Sequence, residues 1–276
     1  MADPTFDQAW TKIKADKAIE VGIPDTPSGV ASRPDGTKFA VSLSDLHVPH
    51  HDKKVLAQIY KYLEHARPDV VIVNGDLVDF YSISSFLKDP SRKETLQEEI
   101  DEAVDILRKL RELCPEVHYN MGNHEDRLRR YLLGNAKALT CLRDLQFESL
   151  FKLEELDVQY HDTAGFRLNR DLVVTHGARV SRHAGATARM EFDRHLMSGM
   201  SGHTHRVGRY DVTGLGGDFS WVEQGCLCDT NPEYVTGKPN WQQGFGIIYY
   251  RSRWFDMREI RIHNRRLVVD GVDYSA

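Results

Sequence analysis

Three apolar stretches, each running straight into a short polar fragment and separated from the next by an amphipathic helical segment, limit what this chain can build. Lys38 to Leu43 reads as a strand that ends on Ser44-Asp45-Leu46-His47. Asp69 to Asn74 ends on Gly75-Asp76-Leu77-Val78-Asp79, and Glu116 to Met121 ends on Gly122-Asn123-His124-Glu125. The spacing of apolar residues predicts a helix over Lys53 to Ala66, with Val55, Ile59, Tyr62 and Leu63 on one face. It predicts a longer helix from Thr95 to Leu113, with Ile100, Ala103, Val104, Leu107 and Leu110 turned inward. Continuous apolar strands alternating with such helices suit parallel strands buried on both faces. Ligand sites in such sheets gather outside the carboxyl ends of the strands, so the three polar fragments are expected to share one site.

The rest of the chain adds to that site. Residues 125–156 read as short helices, and the strand Asp171 to Thr175 ends at His176-Gly177. A helix from Thr187 to His195 and a strand from Leu196 to Ser201 lead to Gly202-His203-Thr204-His205. Beyond them the pattern is β-rich, with strands expected at Val207 to Val212, Phe219 to Gln224, Gly246 to Tyr250, Phe255 to Ile262 and Arg266 to Val269. At the other end, Phe6, Trp10, Ile13 and Ala18 form an imperfect apolar stripe on a helix, followed by a proline- and glycine-rich linker from Gly22 to Gly36. Residues 1–37 are thus expected to be a helical arm and linker, and residues 38–276 the domain. The arm packs either on its own domain or on a neighbouring subunit, which would make it the route to a homo-oligomer.

With 276 residues, 41% of them hydrophobic, the chain can bury one sizeable core. A net charge of −5 argues against a dedicated nucleic-acid coat, so nucleic acid is open as a substrate but not indicated. The first 20 residues lack the apolar centre of a signal peptide, and no apolar run approaches the roughly 20 residues that span a bilayer. A soluble, cytoplasmic protein with no membrane partner is expected. Cys114, Cys141, Cys226 and Cys228 are too few and too scattered for a disulfide scaffold. Cys226 and Cys228 are spaced for a soft metal, but no second cysteine pair or nearby histidine completes such a site, and they read as ordinary strand cysteines.

Collected together, the fragments offer Asp45, His47, Asp76, Asn123, His176, His203 and His205. In extended backbone, residues i and i+2 point to one side, so Asp45 and His47 can face a single ion, and His203 and His205 share that spacing. Seven O and N donors exceed the needs of one tetrahedral ion and fit two adjacent ions if a carboxylate bridges them. Imidazole-rich ligation favours Mn, Fe or Zn over Mg or Ca.

These five fragments resemble the ordered motif set of the calcineurin-like metallophosphoesterases: D-x-H, G-D-x-x-D, G-N-H-E, T-H and G-H-x-H, spread over residues 45–205. The resemblance implies an α/β fold, a four-layer α-β-β-α sandwich of two mixed sheets flanked by helices. It implies that Asp45, His47 and His205 hold one divalent or trivalent transition-metal ion, that Asn123, His176 and His203 hold the other, and that Asp76 bridges. It further implies hydrolysis of phosphate esters by a metal-bound hydroxide, with His124 binding phosphate and protonating the leaving group. Asp79 would accept a hydrogen bond from His124, raising its basicity and fixing its tautomer.

Around this core, Arg127 is the best candidate for a phosphate contact, with Asn123 and His124 also facing substrate, whereas Arg129 and Arg130 read as a solvated helix face. The loop Gly177 to Arg189 carries Arg179, Arg182, His183 and Arg189 between two ligand-bearing fragments, and Arg179 and Arg182 are expected to meet an anionic substrate. His50 and His51, just after the first motif, read as exposed loop histidines, with contact to substrate or to the residues that support the donors as the alternative. One departure bears on substrate: the protein Ser/Thr phosphatases of this superfamily carry arginine directly after the second aspartate of G-D-x-x-D, where this chain has Phe80. The expected activity is therefore phosphodiester hydrolysis ahead of monoester hydrolysis. The alternatives are a non-catalytic interaction module on the same fold and a nuclease or nucleotide phosphatase.

Overall fold

The computed structural model describes residues 35–84, 95–231 and 237–275, so the expected N-terminal arm and nearly all of its linker lie outside the described residues. In chain order the elements are β1 (Lys38–Leu43), α1 (Lys53–Ala66), β2 (Val70–Val73), α2 (Leu96–Leu113), β3 (Val117–Asn120), α3 (Glu125–Asn135), α4 (Phe147–Leu150), β4 (Val158–His161), β5 (Phe166–Arg167), β6 (Leu172–Val174), α5 (Ala186–His195), β7 (Ser198–Ser201), β8 (Val207–Gly214), β9 (Gly217–Gln224), β10 (Gly244–Arg251), β11 (Trp254–Arg261), β12 (Val268–Val269) and β13 (Val272–Asp273). Local chemistry fixes the first two helices. Asp52 caps α1 by accepting from the Lys54 and Val55 amides, and Thr95 with Glu98 forms a reciprocal capping box at the start of α2.

The strands make two mixed sheets. One has the order β11-β10-β1-β2-β3-β4, in which β1 to β4 run parallel and β10 and β11 antiparallel. The other has the order β5-β6-β7-β9-β8, with a parallel centre from β6 through β7 to β9. Three apolar clusters show how the layers stack. Ala40, Val70, Ile72 and Ile248 from the first sheet meet Leu172, Val174, Met200 and Val222 from the second, so this cluster lies between the sheets. Phe39, Val41, Leu43, Val71 and Val73 point to the opposite face of the first sheet and pack with Val55, Ile59 and Leu63 of α1 and Ala103 and Leu107 of α2. Val173 and Trp221 point outward from the second sheet onto Ala188 and Phe192 of α5. Strict alternation along β1, β2 and β6 thus builds the expected four-layer α-β-β-α sandwich. Each fully buried Val, Leu, Ile, Phe or Met among them contributes roughly 1.5–3 kcal/mol by leaving water.

Expected and observed elements agree to within a few residues from 38 to 121 and over most of the β-rich tail. The strands β4 and β5 were not anticipated, and the expected strand Arg266 to Val269 shrinks to the two-residue β12, paired with β13 in a small ribbon. Among the described residues, no helix is long and apolar enough to cross a membrane.

Candidate metal centre

Five of the seven expected donors sit on backbone that a side-chain-bearing residue rarely adopts. Asp45, His47, Asp76, His203 and His205 have φ of 55°, 53°, 51°, 68° and 56°. This corrects the expectation that Asp45 and His47 face one ion because extended residues two apart share a side. They converge because each fragment leaves its strand through left-handed turns. Such conformations cost of order 1–3 kcal/mol each and persist where surrounding contacts impose them. Two glycines permit the close packing of the turns. A Cβ on Gly122 would lie 2.2 Å from Asp76 Oδ1, and one on Gly202 would lie 1.9 Å from Ser44 Oγ.

The side chains meet as two groups. Asp45, His47 and His205 offer ligand atoms that all lie within 4.8 Å of one another, and so do Asp76, His176 and His203. His205 Nε2 is 3.1 Å from Asp45 Oδ1 and 2.9 Å from His47 Nε2. His176 Nε2 is 3.2 Å from Asp76 Oδ2 and 3.2 Å from Asn123 Oδ1. The same Asp76 Oδ2 lies 3.8 Å from His47 Nε2, which puts it between the groups. Bonds of about 2.0–2.2 Å from one ion to N and O donors leave neighbouring donor atoms about 3 Å apart, which matches these spacings. The residues therefore fit a pair of metal ions sharing Asp76.

Electrostatics point the same way. Asp45 and Asp76 are buried, and among the described residues no lysine or arginine pairs with either. Burial alone would raise both carboxyls. His205 and His47 nevertheless hold Asp45 below the ordinary carboxylate range, and His124 and His176 do the same for Asp76. The imidazoles answer in kind. Burial works against charge on His176 but Asp76 outweighs it and leaves the pKa at about 10, while Cys228 and Asp45 outweigh burial at His205, at about 9. His203 moves the other way, lowered by burial and by His176. Two buried carboxylates that meet imidazoles, backbone amides and the Ser44 hydroxyl, with no lysine or arginine beside them among the described residues, make a cavity suited to cations.

His124 stands beside Asp76, with Nε2 3.7 Å from Asp76 Oδ2. Its Nδ1 lies 2.9 Å from the Asp79 carbonyl oxygen and 3.0 Å from Asp79 Oδ1, as the sequence suggested for Asp79. A carbonyl only accepts, so Nδ1 carries the proton. Arg127 Nη2, which only donates, lies 2.9 Å from His124 Nε2, while its Nη1 donates to the Asp79 carbonyl at 2.7 Å. Arg127 thus grips His124 and holds it as the Nδ1–H tautomer. Arg129 and Arg130 pair with Asp126, as a solvated helix face would. Arg179, Arg182 and His183 are exposed on their loop, and Arg189 lies over the Tyr210 ring, on the β8 side. His50 Nε2 approaches Asp79 Oδ2 at 3.8 Å, and His51 is buried rather than a free loop histidine, with Nε2 3.7 Å from Glu102. Phe80 is fully buried and packs edge-on against Phe151.

Several residues that organise the site were not singled out from the sequence. Glu125, fully buried, accepts from the Asp76, Leu77 and Gly122 amides and from the Tyr119 hydroxyl at 2.8–3.0 Å, tying the second fragment to the third. Beneath the donors, Asn74 Nδ2 donates to the Thr175 carbonyl, Asn120 Nδ2 to the Val174 carbonyl, and Ser42 Oγ to Gln224, clamping the two sheets together. Glu191 accepts from the Ala178 and Arg179 amides, and Arg206 donates to the Ser181 and Arg182 carbonyls, so the loop after His176 is held from below. The expectation that no histidine completes the Cys226–Cys228 pair is also corrected: His205 Nδ1 lies 3.9 Å from Cys228 Sγ. The fold supplies that neighbour from 23 residues away in sequence.

Comparison with known proteins now has a site to attach to. The profile of the family described as calcineurin-like phosphoesterase matches residues 41–207, more than half of the chain and the whole span of the donor fragments. The chain is a calcineurin-like phosphoesterase. Membership sets it among metal-using hydrolases of phosphoric esters. Two phage relatives of this calcineurin-like phosphoesterase align over nearly their full length. The Gene 54 protein of Mycobacterium phage D29 is 30% identical over 85% of this chain and 98% of its own length. The Gene 54 protein of Mycobacterium phage L5 is 28% identical with the same coverage. Among solved structures, wild-type Vps29 of Entamoeba histolytica complexed with zinc is similar, at 15% identity, with a TM-score of 0.45 over 86% of this chain and 99% of that one.

Proposed function

We propose that this protein hydrolyses phosphodiesters, and phosphomonoesters less well, at the cluster described above. The observation that carries the reading is that two donor groups meet at Asp76 with an additional histidine, His124, held beside them by Asp79. Asp45, His47 and His205 would hold one transition-metal ion, and Asn123, His176 and His203 the other, with Asp76 shared; Mn, Fe or Zn suits so imidazole-rich a shell. When bound, such a pair polarises phosphoryl oxygen and makes water a nucleophile at neutral pH.

The chain's own groups perform the remaining work. The Arg127 guanidinium prefers a phosphate oxygen to a neutral imidazole, because an anion adds the attraction of a full opposite charge and can accept from both guanidinium nitrogens, where the ring offers one lone pair. Substrate therefore draws Arg127 off His124, leaving Nε2 free to take a proton from solvent while Nδ1 stays on Asp79. As the P–O ester bond breaks, His124 Nε2 gives that proton to the leaving oxygen, and the imidazole returns to its neutral form. Arg179 and Arg182, on the exposed loop after His176, offer further cations to an anionic substrate. Phe80, buried in the core, supplies none, which favours the singly charged diester over the doubly charged monoester. Four free thiols, two of them side by side, fit a reducing, cytoplasmic compartment.

The test is an assay of the manganese-loaded full chain on bis-p-nitrophenyl phosphate, p-nitrophenyl phosphate and single-stranded DNA. The diester should be cleaved fastest, and a chelator should stop it. A metal-loaded protein that cleaves none of the three would favour a non-catalytic interaction module, and cleavage of DNA alone would favour a nuclease.

A further inference from the structure

The imidazole of His205 has two faces, and the chemistry proposed so far uses one. Its Nε2 points at Asp45 and His47, while Nδ1 points at the thiol of Cys228. Cys226 and Cys228 follow β9 after Gly225, with Leu227 at a bend between them, and the Leu227 amide donates to the carbonyls of Ser44 and Asp45. That bond anchors the segment against the first donor fragment and turns both sulfurs toward His205. The ligand atoms of His205, Cys226 and Cys228 lie within 4.8 Å of one another, and all three residues are buried. The Trp241 ring meets the His205 imidazole edge-on, with centroids 4.4 Å apart.

We propose that Cys226, Cys228 and His205 Nδ1 form a second, soft metal site back to back with the oxygen- and nitrogen-rich one, suited to a thiophilic d10 ion such as Cd(II), Zn(II) or Cu(I). Zinc–sulfur bonds of about 2.3 Å and zinc–nitrogen bonds of about 2.0–2.1 Å leave S and N donors roughly 3.5–3.8 Å apart, close to the 3.9 Å between Cys228 Sγ and His205 Nδ1. Little movement is needed to close the trio on an ion. Thiolates select soft ions where Asp45 and Asp76 do not. Binding to the metal-free chain replaces the two thiol protons with the ion, and they pass to solvent, while the imidazole keeps its proton on Nε2; with the neighbouring site filled through Nε2, that ring proton leaves as well. An imidazole coordinated through both nitrogens is an imidazolate, so a full soft site makes His205 a shared ligand and couples the two sites. This inference concerns ion binding and stands whether or not the protein hydrolyses esters.

The test uses the metal-free full chain titrated with 113Cd(II), read by the thiolate-to-cadmium ultraviolet band and by 113Cd NMR. The wild type should show the band and a resonance shifted to the region of mixed sulfur and nitrogen ligation. Cys141→Ser, which removes the exposed thiol, should keep both. Cys226→Ser with Cys228→Ser should lose both while cadmium bound by oxygen and nitrogen remains visible. A wild type with no sulfur-shifted resonance overturns the proposal, and this reading requires no variant to fold. Loss of the signal in Cys141→Ser, or its survival in the double variant, overturns it as well.

Discussion

His124 shows how much a single residue's neighbours decide. Its Nδ1 is committed to Asp79 and its Nε2 to Arg127, so both ring nitrogens are occupied in this structure. If it becomes the proton donor once substrate has taken Arg127, His124→Ala should keep its metals and lose roughly 10²-fold or more in kcat on an ester with an alkyl leaving group. The loss should be smaller for p-nitrophenyl esters, whose leaving anion is already stable. Equal losses on both would make His124 a phosphate-positioning residue, and loss of metal would make it a ligand, as its closeness to His47 and Asp76 also permits. The donors were legible in the sequence because each fragment keeps its chemistry within a few consecutive residues. Glu125 was not, although it stands in the same motif. Its role is to satisfy amides at Asp76 and Leu77, nearly 50 positions away, and a buried carboxylate that serves backbone donors leaves no local pattern.

At the scale of elements, the strand and helix pattern from residue 38 to 121 was readable because apolar periodicity runs long enough to separate helix from strand. The strand β4 escaped notice because Val158-Gln159-Tyr160-His161 is short, half polar and at a sheet edge, and β5 has only two residues. Pairing of β10 beside β1 joins strands some 200 residues apart, which no local signal announces. The loop after His176 depends on α5 in a testable way. Burial raises the Glu191 carboxyl, but His195 and the Ala178 and Arg179 amides outweigh it and bring the pKa from 4.5 to about 2. A depressed carboxyl stabilises the fold above its unfolded pKa, and that stabilisation fades as pH falls through the folded one. Denaturant unfolding of Glu191→Gln should therefore show a deficit against wild type that is full above pH 4.5 and shrinks as the pH falls to about 2. A deficit independent of pH would mean that the carboxylate charge contributes nothing to holding the loop.

For the whole molecule, two sheets pressed face to face bring the carboxyl ends of β1, β2 and β3 against those of β6 and β7, so donors spread over 160 residues meet at one rim. The order of the fragments announced that meeting, but not the left-handed turns or the Asn74, Asn120 and Gln224 clamp that make it rigid. The central claim is that the rim holds two ions through one shared carboxylate. Elemental analysis of the manganese-loaded full chain, beside Asp76→Ala, tests it most directly. Two ions per wild-type chain and a fall to one or fewer in the variant are predicted; one ion per chain, unchanged by Asp76→Ala, would contradict it.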